Sequence, residues 1–156
     1  VNFCKSSNNI DLKCLSVHFG SQILDYKPYE KMLRVVDRII HKINHKFEFI
    51  DLGGGMGISY KYEDKKLNYS KYSEIIKKFL KKHKSKIIFE PGRSIIGDTG
   101  ILISKIIYIK KNESKNFIIL DAAMNDLMRP ALYGAHHKIL PSTKSKKKSN
   151  KTYEFV

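Results

Sequence analysis

The sequence predicts an α/β fold made of strand–turn–helix units and followed by a short antiparallel β segment. Three observations carry this. Short apolar runs recur along the 156 residues, and each stops at a glycine-bearing turn: Gly20, Gly53-Gly54-Gly55 and Gly92. Apolar residues at helical spacing follow the first two turns. After Gly100 the rhythm changes, and two apolar runs are separated only by a polar turn. Strands that are apolar throughout, alternating with amphipathic helices, are the pattern of a parallel sheet covered by helices.

The elements follow in order. Leu12 to Phe19 reads as a strand ending at Gly20-Ser21-Gln22. A helix comes next, with Pro28 near its start and Met32, Val35, Val36, Ile39, Ile40 and Ile43 as its apolar stripe. Phe47 to Leu52 is the second strand, interrupted by Asp51 and stopped by the glycine triplet. A second helix runs from Ser70, the expected N-cap, to His83, with Ile75, Ile76, Phe79 and Leu80 facing inward. Ile87 to Phe89 is the third strand, ending at Glu90-Pro91-Gly92-Arg93. Ile101 to Ile109 and Phe117 to Leu120 are then antiparallel strands joined by a turn over Lys110 to Lys115. A boundary near Gly97 to Gly100 divides the chain into residues 1–97 and 98–156. Three units are too few for a closed barrel of eight strands and ~250 residues. An open three-stranded sheet would leave two bare edges. The expectation is a slice of a larger fold, and Val1 in place of Met points the same way.

Composition excludes several classes. Hydrophobic residues make up 42%, too many for a disordered tail. No apolar run approaches the ~18 residues of a membrane helix, and no secretory leader is visible. The net charge of +15 invites nucleic acid as a partner. Yet only Arg34, Arg38, Arg93 and Arg129 are arginine, and the lysines spread over nearly every segment. Arginine is the residue that reads phosphate and guanine bidentately, so the charge is read as a solvated surface. The densest run, Lys144 to Lys151, reads as an exposed loop. Cys4 and Cys14 stand alone, outside any metal or redox spacing.

In parallel α/β folds the active site lies at the carboxyl ends of the strands, and the unusual residues here sit at such ends. Gly53, Gly54, Gly55 and Gly57 could let backbone N–H groups approach a phosphate, or could simply form a turn. Glu90 and Arg93 are either a structural ion pair or a ligand pair. His18 is either packed or functional, and Ser21 is either a turn former or an anion ligand. His136-His137 lacks a third ligand at metal spacing, which argues against a metal. His41, His45 and His83 read as surface residues among lysines. Asp121 to Tyr133 (DAAMNDLMRPALY) is too polar for core and reads as a loop suited to holding a polar substrate.

Taken together, VHFGSQ at 17–22, DLGGGMGISY at 51–60, EPGRSIIGDTG at 90–100 and DAAMNDLMRPALYGAHH at 121–137 resemble the diaminopimelate decarboxylases. These belong to the pyridoxal-phosphate decarboxylases with an alanine-racemase-like barrel. The last motif separates them from the ornithine and arginine decarboxylases, which share the glycine and Glu-Pro-Gly-Arg elements. The resemblance implies that residues 1–97 are the C-terminal part of a pyridoxal-phosphate-binding (β/α)8 TIM barrel. Residues 98–156 would be the start of an antiparallel β domain. It further implies decarboxylation of meso-2,6-diaminopimelate to L-lysine in lysine biosynthesis, in a cytoplasmic homodimer with its active site at the interface. No metal, nucleic acid or membrane is expected.

Carried over by position, His18 would stack on the cofactor ring, and Glu90 would face its pyridine nitrogen. These two are the expected catalytic residues. Ser21, Gly55, Gly92 and Arg93 would hold the phosphate, while Arg93, Arg129 and Tyr133 would hold the substrate. The family's Schiff-base Lys, its Cys-Glu-Ser motif and a later substrate-binding Tyr have no match in the 156 residues. Phe19 and Ala123 also stand where Ile and Gly are usual, though neither change removes a functional group. The chain is therefore expected to be an internal fragment, or the product of a broken gene, and inactive alone. The alternatives are a fragment of an ornithine or arginine decarboxylase, or a basic nucleic-acid-binding module without enzymatic activity.

Overall fold

A computed structural model describes residues 1–62, 64–143 and 151–156, and it divides into two compact units. The first holds Val1–Ser59 with Glu63–Gly100, and the second holds Tyr60–Tyr62 with Ile101–Val156. Residues 144–150, expected as part of an exposed lysine-rich loop, lie outside the described residues.

The first unit begins with a short helix, α1 (Asn2–Ser6), which the sequence did not suggest. Then come β1 (Cys14–Ser16), α2 (Lys27–Ile43), β2 (Phe49–Asp51), α3 (Tyr69–His83), β3 (Lys86–Ile88) and the single turn α4 (Arg93–Ile96). The three strands form one parallel sheet in the order β1-β2-β3. Register assigns the side chains to faces: Leu15, Ile50 and Ile87 form one row, while Ser16, Asp51 and Ile88 form a row on the opposite face.

The Leu15 row faces α2 and α3. There Tyr29, Met32, Leu33 and Val36 of α2 meet Tyr72, Ile76 and Phe79 of α3 over Ile50 and Leu52. The opposite face is not covered in the same way, and Cys14, Ser16, Lys86 and Ile88 on it are exposed. The strands therefore do not have the two-sided burial that their sequence suggests.

Three helix details differ from expectation. In α2, Val35 and Ile39 are exposed, and the buried stripe runs through Tyr29 and Leu33 instead. The inward positions follow a spacing of three and four from Tyr29, an aromatic residue left out of a purely aliphatic stripe. In α3 the N-cap is Asn68, not Ser70: its Oδ1 accepts from the Lys71 backbone N–H at 3.0 Å. His45 and His83, expected on the surface, are half-buried. His83 Nε2 lies 2.7 Å from Asp37 Oδ1 on α2, and Lys82 Nζ lies 2.6 Å from Asp37 Oδ2. His45 Nε2 lies 2.7 Å from the Leu12 carbonyl.

The second unit contains β4 (Ile106–Lys111), β5 (Asn116–Leu120), α5 (Arg129–Tyr133) and β6 (Glu154–Phe155). β4 and β5 are antiparallel, and β6 joins β5 in parallel. The β4 strand starts and ends later than its apolar run. At its end, Asn112 Oδ1 accepts from the Ser114 and Lys115 backbone N–H groups. This closes a tight turn that lets Lys110 and Lys111 continue pairing. Just before its start, the Asp121 carboxylate holds the Ser104 hydroxyl and the Lys105 N–H, both at 2.8 Å. Those bonds also hold the Asp121 carboxyl below its usual range.

Candidate functional site

The loops after β1, β2 and β3 meet at the carboxyl end of the sheet. Hydrogen bonding continues past the strand ends: the Val17 N–H donates to the Asp51 carbonyl, and the Glu90 N–H to the Gly53 carbonyl, both at 2.9 Å. The ladder thus carries the chain directly into the glycine loop, with His18 on one side and Glu90 on the other.

The glycines are needed for this closeness. Gly53 has φ +64 and Gly55 φ +88, in the left-handed region that only glycine enters freely. A Cβ on Gly53 would lie 2.6 Å from the Val17 carbonyl oxygen, and one on Gly55 would lie 2.5 Å from that of Gly20. A Cβ on Gly54 would collide with the Glu90 carbonyl oxygen. Above Gly92, by contrast, there is open space. The Gly54 N–H points at His18 Nδ1 at 3.5 Å. Beneath the loop, the Asp51 carboxylate accepts from the Gly53 N–H at 2.8 Å and from the Ser16 hydroxyl at 3.2 Å.

Of the expected site residues, His18, Ser21, Gly55, Glu90 and Gly92 belong to these three loops, and Arg93 follows the third directly. His18, Ser21 and Glu90 are exposed. Arg93 opens α4, and its Nη1 donates to Gln22 Oε1 at 3.0 Å. Arg129 and Tyr133 lie in the second unit, at the two ends of α5. The Arg129 guanidinium sits over the Tyr133 ring, 5.4 Å from its centroid. The segment expected as one long loop is thus a turn followed by a helical turn. Asp121 is engaged with the start of β4, and Asp126 Oδ2 accepts from the Ala123 N–H.

Three residues of the site were not singled out by sequence. Asp51 read as an interruption of a strand, but it anchors the glycine loop. Tyr29, fully buried, donates from its hydroxyl to the Gly54 carbonyl at 3.2 Å. Burial pushes its phenol up to about 12, so it stays protonated and able to donate. Gln22 read as a turn residue, yet its carboxamide bonds both neighbouring loops. Spacing marks Tyr29, which precedes Met32 and Leu33 by three and four. No local pattern marks Gln22, because its partners are 36 and 71 residues away.

The arrangement offers backbone N–H groups, a hydroxyl and a guanidinium around glycine-shaped space, with a carboxylate and an imidazole at its margins. This donor set suits a phosphorylated, ring-bearing ligand.

Comparison with known proteins gives a consistent result. Residues 2–97 match the family model for the pyridoxal-dependent decarboxylase, pyridoxal binding domain. The diaminopimelate decarboxylase of Aquifex aeolicus is 42% identical over 150 residues, covering 94% of this chain and 36% of the relative. That of Zymomonas mobilis is 43% identical over 141 residues, covering 88% of this chain and 34% of the relative. Among solved structures, diaminopimelate decarboxylase from Helicobacter pylori complexed with L-lysine superimposes with a TM-score of 0.83 at 36% identity. That match covers 93% of this chain and 37% of that one. Diaminopimelate decarboxylase from M. jannaschii in co-complex with L-lysine gives a TM-score of 0.88 at 28% identity, covering 99% of this chain and 37% of that one. The chain therefore spans about a third of the length of the curated relatives it matches.

Proposed function

Because the chain belongs to the pyridoxal-dependent decarboxylase family, we propose that it is the part of a diaminopimelate decarboxylase that holds the cofactor phosphate and one end of the substrate. The reaction would be loss of carbon dioxide from meso-2,6-diaminopimelate to give L-lysine. The carrying observation is the meeting of three glycine-bearing loops at the carboxyl end of a parallel sheet, with His18, Ser21 and Glu90 on those loops and Arg93 at the start of α4.

Pyridoxal 5'-phosphate fits the donors present. When bound, it supplies an electron sink for the pair left at the α-carbon as carbon dioxide departs. The chain's own residues hold and orient it. Ser21, Gly55, Gly92 and Arg93 bind the phosphate through a hydroxyl, backbone N–H groups and a guanidinium. Glu90 holds a proton on the ring nitrogen, which keeps the sink effective. His18 covers one ring face and fixes its orientation. Arg93, Arg129 and Tyr133 bind the amino-acid substrate, with Arg129 on the carboxylate that does not react.

Residues 1–97 would then be the C-terminal part of a (β/α)8 barrel, and residues 98–156 the start of the β domain. The cytoplasmic homodimer belongs to the same reading and rests on family resemblance. Among the described residues, no helix is long and apolar enough to cross a membrane. Alone, the chain is expected to be inactive, since the Schiff-base Lys and the Cys-Glu-Ser motif have no match in it.

The test is a chimera in which these residues replace the matching segment of the Aquifex aeolicus enzyme. It should release carbon dioxide from meso-diaminopimelate in preference to ornithine and arginine. Preference for either of those would overturn the substrate assignment. In that chimera, Arg129→Ala should lower kcat/KM about ten- to a few hundred-fold, the worth of a charge-assisted clamp. The absorbance of bound cofactor should persist, and cofactor release with substrate affinity intact would place Arg129 elsewhere.

A further inference from the structure

Gln22 occupies the junction of all three loops. Its Nε2 donates to the Ile58 carbonyl at 2.6 Å, and its Oε1 accepts from the Ile58 N–H at 3.3 Å. The same Oε1 accepts from Arg93 Nη1 at 3.0 Å. One carboxamide thus ties the loop after β1 to the loop after β2 and to the first residue of α4. The backbone of Gln22 itself is left-handed, with φ +59, a conformation that costs a non-glycine residue energy and persists where the surroundings enforce it. A parallel bridge between Ile23 and Met56 and the close approach at Gly57, where a Cβ would sit 2.9 Å from the Gln22 carbonyl carbon, provide that enforcement.

We propose that Gln22 is a positioning residue for the phosphate end of the site, setting Ser21, the Gly55–Gly57 backbone and the Arg93 guanidinium in one geometry. This rests on the cofactor assignment above. The chemistry favours an amide at this point. It can donate to one backbone group and accept from another, as a single peptide unit would. Its neutral oxygen orients the guanidinium without placing a negative charge beside a phosphate dianion. A carboxylate of the same shape would repel the Ile58 carbonyl and the phosphate together.

The experiment measures binding of pyridoxal 5'-phosphate and of pyridoxal, which lacks the phosphate, to the full chain by equilibrium dialysis. Gln22→Glu and Gln22→Ala are compared with the unsubstituted chain, with thermal unfolding followed in parallel. The unsubstituted chain should favour the phosphorylated form. Each variant should lose about tenfold in affinity for pyridoxal phosphate, the scale of one charge-assisted hydrogen bond, while binding pyridoxal as before. Gln22→Glu keeps the side-chain length and carries the test if Gln22→Ala fails to fold. A Gln22→Glu chain that keeps the unsubstituted ratio of the two affinities overturns the proposal, even if its unfolding temperature falls, because Gln22 is then only a structural tie. An unsubstituted chain that binds both compounds alike overturns the cofactor assignment, and the role of Gln22 falls with it.

Discussion

Gly54 shows how narrowly single residues shape the site. Its φ is ordinary, and only the Glu90 carbonyl above it forbids a side chain. Gly54→Ala should destabilise the chain by about 1–3 kcal/mol, because a backbone oxygen cannot rotate away as a side chain would. Gly100→Ala is the matched control, with nothing within 4 Å of the added carbon. It should stay within about 0.5 kcal/mol of the parent in urea unfolding. Equal losses at the two positions would mean that the Gly54–Glu90 approach is not held in solution. Asp51, Tyr29 and Gln22 act at the same scale: each fixes a backbone group of the glycine loops through one side chain.

Between elements, the informative contact is Asp37, which ties α2 to α3. Lys82 and His83 reach it from α3, and His41 Nδ1 lies 3.5 Å away on its own helix. The hydrogen bond from Lys82 is the largest cause holding the Asp37 carboxyl below its ordinary value. A carboxyl lowered in the folded state stabilises above its unfolded value, near pH 4, and that stabilisation is lost as the pH falls through the folded value. Asp37→Asn should therefore lower the unfolding temperature at pH 7. The gap from the parent should close as the pH falls below that lowered folded value, where both chains carry a neutral group. A gap that stays constant across this range would mean that the charge of Asp37 is not what joins the helices.

At the scale of the whole molecule, the charge dominates. A net charge of +15 on 156 residues repels itself, and the lysines are spread too evenly for local pairing to cancel it. Raising the salt from about 0.01 M to 0.2 M shortens the screening length from ~30 Å to below 10 Å. The unfolding temperature should rise over that range. A fall would show that attractive ion pairs outweigh the repulsion.

The sequence by itself determined the alternation of β1, α2, β2, α3 and β3, the antiparallel β4–β5 pair after Gly100, and the family, but not α1, α4, α5 or the parallel strand β6. What it determined depends on local periodicity or on contiguous motifs such as EPGR and DAAMNDLMRPALY. It also placed His18, Gly55, Glu90 and Arg93 at strand ends. What only the tertiary structure decided was which side chains hold those ends together. The Ser16–Asp51 bond, the Tyr29–Gly54 bond and the Gln22 junction link residues 25 to 71 positions apart. The same holds for exposure: Val35 and Ile39 fit a helical stripe but face outward, while His83 sits among lysines but is covered by Phe79 and Asp37. Periodicity reports which side of an element is apolar. The neighbour that covers that side is chosen by chain crossings, and no short window of sequence contains them.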